Sequence, residues 1–539
     1  MSSTFPAPKA LLLLIASMTS IACAPAAEEE VASSEGELAA ADEAPTVLFN
    51  LNDVKSVELN LDPAAMDAMT NEAHAAAVDR ELLWAPRTKA RGTFKVNLAP
   101  GVTTSCDTSK PVAVTVKIKG MWSMQGFDQK PSLKIDFDKN FCGLKNLALN
   151  NMVQDTSFVN EALAYKMYES MGVPAPRYGY SNVSVNGAPL GLYLSLEAID
   201  KKFLARQFGD GTGELYEGTY GGDLRDGDIG TRVLAFTGED DSPEANGFPQ
   251  MRAFVAAVNQ PGDGVFYGPS AMVDTAEFVS MMATAFVIGD WDNYVTANNY
   301  RFYRNPKTNL WSIIPTGTDQ TFSSRLHPMN AGRAPSVLFG KCLESPRCSA
   351  DYMAAVGRAV QKLQEPEGTL VGTAQRRLEL VKDAIHADTR RTQNDEQAFA
   401  AFLGLAQFIT DRPAEIAAMM SLPGAPGGCG ALGINEGLVP GRRVTSCDGR
   451  FVLVMQPTDG NIVLYRNDGV PVWAAATPGT TTSLFVQGDG NVVAYDTNRN
   501  PVWTTSTDGH PGAFLAVQDD GNLVIYEGGN AIWASNTAE

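Results

Sequence analysis

An α+β domain followed by an all-β domain of repeated units is the fold class this sequence predicts, and three observations lead there. Strand-like alternation and helix-like periodicity interleave from about residue 46 to residue 420. A Pro- and Gly-rich segment at 421–430 (SLPGAPGGCG) then interrupts them. Beyond it Trp473, Trp503 and Trp533 recur every 30 residues, and Asn461, Asn491, Asn522 and Tyr465, Tyr495, Tyr526 keep nearly the same period. Such a period seen three times means three copies of one β unit that bury a shared core by closing around an axis.

At 539 residues the chain is too long for one ordinary core, so two or three domains are expected. The formal charge of −19 argues against nucleic acid as a partner, because phosphate backbones demand basic patches. A nucleotide stays admissible, since one or two lysines and a metal can hold it.

The first 23 residues read as a targeting segment: Lys9 precedes an apolar run at 10–18 that is too short to span a bilayer. Ser20-Ile21-Ala22-Cys23 resembles a bacterial lipobox, with Ser20 where Leu is usual. The resemblance implies acylation of Cys23 and membrane contact through a lipid anchor only; the alternative is plain secretion with Cys23 removed. Residues 24–45 are acidic, Ala-rich and free of aromatics, and read as a disordered tether. Setting Cys23 aside leaves six cysteines in an exported protein. Neighbours in sequence suggest Cys106 with Cys142, Cys342 with Cys348 and Cys429 with Cys447, one pairing among the several that six cysteines allow. Their spacing is not that of a zinc site, and the four histidines are scattered.

Within 46–420 the elements follow in order. Strands are expected at 47–51 and 54–59, and Asp62-Pro63 starts a helix to about residue 78, with Pro at its first position. GTFKVNL, AVTVKIKG and SLKIDF, between 92 and 137, read as half-buried strands. A helix at 158–171 ends at Gly172 and Pro174. YSNVSVN and LGLYLSLEAI flank Asn186-Gly187, a two-residue hairpin signal. The Gly- and Asp-rich stretch 210–247 reads as loop or lid. Further helices are expected at 249–259, 274–288, 351–363, 373–387, 396–407 and 413–420.

The chemistry concentrates at 289–322 (GDWDNYVTANNYRFYRNPKTNLWSIIPTGTDQTF). Asp290 and Asp292 follow a helix C-terminus, where the macrodipole disfavours negative charge, so a compensating cation is expected there, either Mg²⁺ or a lysine. Asn298 and Asn299 precede a hairpin, and Asp319 closes the strand WSIIPTGTD. Helix, hairpin and return strand can bring both ends together. Asp290, Asp292, Asp319 and Asn298 would then form an oxygen cluster suited to Mg²⁺, the arrangement phosphoryl transfer uses. In the competing reading these are ordinary turn and loop residues.

Three blocks now carry a resemblance: KIKGMWSMQGFDQKPSLKIDF, the run from Asn150 to Leu204, and DWDNY…NNYRFYR…TDQTF. Over roughly 46–420, and in the same order, they resemble the spore coat protein H (CotH) kinase family. That resemblance implies an atypical secreted kinase fold that transfers phosphate from ATP to a protein acceptor with Mg²⁺ or Mn²⁺. Asp292, with Asp290 beside it, is the expected catalytic carboxylate, and Asp319 and Asn298 the expected metal ligands. Lys130 and Lys134 match basic positions of the family pattern, and Glu197 matches a carboxylate that would orient such a lysine. Two departures stand out. Gly317 occupies the first place of an Asp-x-Asp pair, and Val159-Asn160 replaces an Arg near the start of the middle helix.

The repeats resemble bulb-type lectins. Residues 518–526 (QDDGNLVIY) fit Q-x-D-x-N-x-V-x-Y, and Gln487, Asp489, Asn491, Val493 and Tyr495 fit it equally. The first copy keeps Asp459, Asn461, Val463 and Tyr465, while one extra residue displaces Gln456. The resemblance implies an all-β three-fold β-prism that binds mannose-type glycans. Its expected ligands are Gln487, Asp489, Asn491 and Tyr495; Gln518, Asp520, Asn522 and Tyr526; and Asp459, Asn461 and Tyr465. The three tryptophans read as core.

The expected organisation is a lipoprotein signal peptide (1–23), a tether (24–45), a kinase-like domain (46–420), a linker (421–430) and a lectin-like domain (431–539). The expected protein is an exported, lipid-anchored kinase at the outer membrane or cell surface, docked on glycans. The alternative, favoured by Gly317, is a non-catalytic adhesin with a kinase-like scaffold. The enzyme reading requires Asp292 and Asp319 to meet beside Lys130 and Lys134.

Overall fold

The computed structural model describes residues 46–99, 102, 104–120, 123–235, 248–323, 336–364, 370–421, 430–434, 436–440, 443–456, 459–477, 479–498 and 500–539. The targeting segment, Cys23, the tether, Cys429 and residues 422–429 of the linker lie outside these. Among the described residues no helix is long and apolar enough to cross a membrane.

Seven strands form a closed barrel: β1 (Lys55–Leu61), β2 (Ala90–Asn97), β3 (Val112–Ile118), β4 (Leu133–Phe141), β5 (Leu144–Asn150), β6 (Tyr178–Val185) and β7 (Ala188–Glu197), in the order β1-β2-β3-β4-β5-β7-β6. Neighbours are antiparallel except β1 and β6, whose parallel pairing closes the barrel. Period-two alternation dictates this packing, because every second residue (Val57, Leu59 and Leu61; Val114, Val116 and Ile118; Leu133, Ile135 and Phe137) points into the core. Asn186 and Gly187 both take positive φ, 51° and 79°, as the tight β6–β7 turn requires. The expected strand at 47–51 is instead a helical turn, α1 (Thr46–Phe49). Val47 and Leu48 are consecutive and both fully buried, which a strand facing one core does not allow. In α2 (Pro63–Val78) Asp62 caps the helix by accepting from Ala64 N–H. The disulfide Cys106–Cys142 forms as expected.

A second layer holds α3 (Asn160–Ser170), α4 (Lys201–Phe208), β8 (Glu214–Gly218), β9 (Val233–Ala235), α5 (Pro249–Val258), α6 (Thr275–Ile288), β10 (Tyr300–Arg304), β11 (Trp311–Pro315), α7 (Val337–Glu344), α8 (Pro346–Gln364), α9 (Leu370–Ala387) and α10 (Asp395–Ser421). The strands pair as β11-β10-β8-β9. Every residue of α6 from Glu277 to Ile288 is buried, so this helix is the pillar of the layer. Cys342–Cys348 ties α7 to α8, again as expected. Two helices were expected at 396–407 and 413–420, but α10 runs unbroken through Pro413. Its packing along α6, α8 and α9 outweighs the roughly 3 kcal/mol that an interior proline costs.

The remaining strands are β12 (Ala431–Leu432), β13 (Gly437–Leu438), β14 (Arg443–Thr445), β15 (Phe451–Met455), β16 (Ile462–Arg466), β17 (Pro471–Ala474), β18 (Thr481–Val486), β19 (Val492–Asp496), β20 (Pro501–Thr504), β21 (Phe514–Val517), β22 (Leu523–Glu527) and β23 (Asn530–Ala534). They make three four-stranded sheets, β14-β15-β16-β17, β13-β18-β19-β20 and β12-β21-β22-β23. Trp473, Trp503 and Trp533 meet edge to face at 5.8–6.2 Å and, half-buried, pack against a shared apolar core. Cys447 is disulfide-bonded.

The expected fold class is corrected at both ends. The chain opens on a closed mixed barrel, which reading strands one at a time does not reveal. At the other end the three-fold prism order is not seen. Each 30-residue copy supplies only three strands of a sheet, and the fourth comes from 431–445, taken in reverse order as β12, β13 and β14 join the last, middle and first copies.

Candidate active site

The pillar helix α6 ends at Gly289, whose φ of 65° suits a glycine C-cap. Arg412, buried in α10, donates from Nε to the Val287 carbonyl at 3.2 Å and from Nη2 to the Phe286 carbonyl at 2.8 Å. This arginine sets a positive charge at the negative end of the helix.

The two aspartates after the helix have separate fates. Asp290 is buried and accepts from the Tyr168 hydroxyl at 2.6 Å. Burial, reinforced by Asp292 and Asp319, pushes its carboxyl up to about 7. Asp292 is partly exposed and accepts from Asn298 Nδ2 at 2.8 Å and Asn299 Nδ2 at 3.0 Å. Burial raises its pKa and the two amides oppose the rise. Asn298 thus turns its nitrogen to Asp292, leaving only Oδ1 to offer a cation.

Asp319 follows β11 on a loop stitched to three elements. Thr316 N–H donates to the Asn299 carbonyl at 3.0 Å, Phe322 N–H to the Ile288 carbonyl at 2.8 Å, and Asn160 Nδ2 to the Thr321 carbonyl at 2.9 Å. Asn160, at the position where the family pattern has lost its Arg, therefore ties α3 to this loop. Gly317 has φ of 60°, and a Cβ there would stand 3.0 Å from Asn299 Cγ. An aspartate at this place would be strained by that backbone conformation and would crowd the amide that serves Asp292. Burial first, then Glu161 and Asp292, pushes Asp319 up to about 7, while Lys119 pulls it down.

Two residues that sequence reasoning passed over complete the group. The first turn of α3 is capped by Asp155 Oδ2, which accepts from Glu161 N–H at 3.1 Å, and by Ser157 Oγ, which accepts from Val159 and Asn160 N–H. This places Glu161 in the helix start, buried, where burial and Asp155 push it up to about 7 against Asn150 and Lys119. Lys119 follows β3 directly, partly exposed, and its Nζ donates to Asn150 Oδ1. Burial lowers its pKa, opposed first by Glu161 and then by Asp319. Lys119 stands where a strand leaves the barrel, beside Gly120 at φ 94°, a placement that the sequence does not show.

One of the expected cations lies elsewhere. Lys130 Nζ is sealed against Asp388 Oδ2 at 2.6 Å, 5.2 Å from the Tyr193 ring centre. Lys134 stands 3.9 Å from Asp136. Glu197 pairs with Arg177 at 2.6 Å and Arg206 at 2.5 Å rather than with a lysine near the carboxylates.

Among the described residues no three Asp, Glu, His or Cys side chains converge as a metal-holding group. The expected oxygen cluster is corrected accordingly: Asp290 is committed to Tyr168 and Asp292 to two amides. Mg²⁺ in phosphoryl transfer needs only one or two carboxylates beside phosphate oxygens and water, and of this group Asp319 is the one that would meet that smaller demand. A pH signature follows. Asp155, Glu161, Asp290 and Asp319 bind protons more tightly folded than unfolded. Their contribution to stability is full below the unfolded value of about 4 and is lost as pH rises through about 7. The melting temperature is therefore expected to fall between pH 5 and pH 8 (roughly this window), and Mg²⁺ is expected to raise it more at the upper end. Equal Mg²⁺ shifts at both ends would contradict binding of the ion at Asp319.

In the C-terminal repeats one geometry recurs. Gln487 Nε2 donates to Tyr495 Oη at 2.6 Å and Gln518 Nε2 to Tyr526 Oη at 2.8 Å. Gln456 lies 2.8 Å from Tyr465 Oη, so the first copy keeps the glutamine that its extra residue had seemed to displace. Oδ1 of Asp459, Asp489 and Asp520 accepts from the N–H of Asn461, Asn491 and Asn522, each at 3.0 Å. Those asparagines in turn accept from the N–H of Thr477, Thr507 and Thr537 at 3.0–3.2 Å.

Comparison with known proteins gives matches of two kinds. Inner spore coat protein H of Bacillus subtilis (strain 168) is 25% identical over 208 residues, 37% of this chain and 56% of that protein. The inner spore coat protein H-like protein of the same organism is 38% identical over 69 residues, 13% of this chain and 22% of that protein. The chain thus spans about half the length of the first relative and about a fifth of the second. Among solved structures, the mannose-specific agglutinin of snowdrop (Galanthus nivalis) bulbs, complexed with methyl-alpha-D-mannoside, is 37% identical over 20% of this chain and 98% of that one, with a TM-score of 0.17. A TM-score that low carries no structural argument. Residues 116–414, more than half of the chain, match the family described as CotH kinase protein, and it is to this family that the chain belongs.

Proposed function

We propose that the protein is a phosphotransferase that uses ATP with Mg²⁺ or Mn²⁺ to phosphorylate a protein acceptor. The observation that carries this reading is the gathering of Lys119, Glu161, Asp292 and Asp319 in one electrostatic neighbourhood. Lys119 supplies the cation for phosphate oxygens, and Asp292, oriented by Asn298 and Asn299, accepts the proton of the attacking hydroxyl. A divalent ion at Asp319 would neutralise charge on the phosphates. The test is incubation of the full chain with labelled ATP and each metal, with phosphate incorporation as the readout. Absence of nucleotide binding and of transfer with both metals would leave a non-catalytic surface protein.

The repeated Gln-Asp-Asn-Tyr geometry supports a second element of the proposal: a region at 431–539 that docks the protein on mannose-type glycans. The export, the lipid anchor at Cys23 and the surface location expected from the N-terminal sequence complete it. Because Asn491 and Asn522 hold backbone N–H groups, removing them would confuse folding with binding. Asp459→Asn, Asp489→Asn and Asp520→Asn together keep the Oδ1 acceptors and remove the charges. The triple variant is expected to lose retention on mannose-agarose at an unchanged melting temperature, and full retention would sink the glycan reading.

A further inference from the structure

Asn150, the last residue of β5, stands between two opposite charges. Its Oδ1 accepts from Lys119 Nζ, and its Nδ2 donates to both oxygens of Glu161, at 2.8 and 2.9 Å. The three residues come from three elements: the exit of β3, the end of β5 and the first turn of α3. An amide suits this place because one side only accepts and the other only donates, so a single orientation satisfies both neighbours. A carboxylate would repel Glu161, and an apolar residue would leave two charged groups unsatisfied in a half-buried setting.

We infer that Asn150 is a positioning residue: it holds Lys119 toward the nucleotide phosphates through an amide bridge to Glu161, in place of direct contact between lysine and carboxylate. This rests on the phosphotransferase reading above. The bridge uses one of the lysine's three donors and leaves the others for phosphate oxygens. A direct ion pair would draw Lys119 toward the buried Glu161, whereas the amide keeps the ammonium one side chain further out.

The experiment compares the full-length wild type with Asn150→Ala and Asn150→Asp, measuring KM for ATP, kcat and melting temperature at pH 6 and pH 8. In Asn150→Ala the KM is expected to rise about tenfold, the loss of one hydrogen bond to a charged group, with a smaller fall in kcat. In Asn150→Asp the introduced carboxylate captures Lys119. Its KM is expected to rise above that of Asn150→Ala at both pH values, with kcat falling less in each variant. A merely structural role would lower the active fraction and leave KM unmoved, so it would not produce this ordering. An unchanged KM in a folded Asn150→Ala, or a loss of activity that only tracks the unfolded fraction, overturns the inference while leaving the phosphotransferase intact. A wild type that neither binds nucleotide nor transfers phosphate overturns both.

Discussion

Asp292→Ala and Lys119→Met are each expected to cut phosphate transfer by about 10²–10⁴-fold while the protein still melts near the wild-type temperature. Both side chains are partly exposed, and neither carries a backbone element. Asp292 is aimed by two amides, so its removal takes away a prepared proton acceptor and leaves Asn298 and Asn299 to turn to water. Lys119 can be lost without a stranded charge below it, because Glu161 is pushed up to about 7 and can take a proton. Asp290→Asn is the internal control. Its carboxyl is buried on Tyr168, so a smaller kinetic effect and a clearer thermal one are expected. If Asp290→Asn proves as inactive as Asp292→Ala at full stability, the division of labour between the two aspartates is wrong.

The second large effect is on stability. Asp388→Ala is expected to destabilise the fold by about 3–5 kcal/mol, because it strands a buried ammonium. Lys130 and Asp388 have side chains 1% and 0% exposed, and the same carboxylate accepts from the N–H of Leu192 and of Arg390. One side chain therefore joins the start of β4, the hairpin strand β7 and the turn after α9. Thermal or denaturant unfolding checks this directly. Comparable destabilisation by Lys119→Met would show that the two lysines have not been told apart correctly.

That distinction marks where sequence reasoning stopped. Lys119 and Lys130 lie in the same stretch, each next to strand-like alternation, and only the closure of the barrel turns one inward to Asp388 and the other to the carboxylates. Glu161 was equally hidden, since a glutamate two residues into a helix usually serves the helix dipole. What was legible was local: the Asn186-Gly187 turn, the Asp62 cap, two disulfides between near neighbours, and the proximity of Asp292 to Asp319 across one hairpin. What was illegible depended on distant partners. Arg412 reaches α6 from the far end of α10, and Gly317 reads as a lost aspartate until Asn299 is seen to fill its space.

The strands at 431–445 carry one more consequence. Because this short lead-in donates a strand to each of the three sheets, the repeats are not interchangeable beads. Cutting the chain anywhere between β14 and β15 would strip an edge from all of them at once and bare three rows of unpaired amides. An expression fragment that begins at the first recognisable repeat would be expected to aggregate, whereas one that begins ahead of Ala431 keeps β15, β18 and β21 paired on both sides.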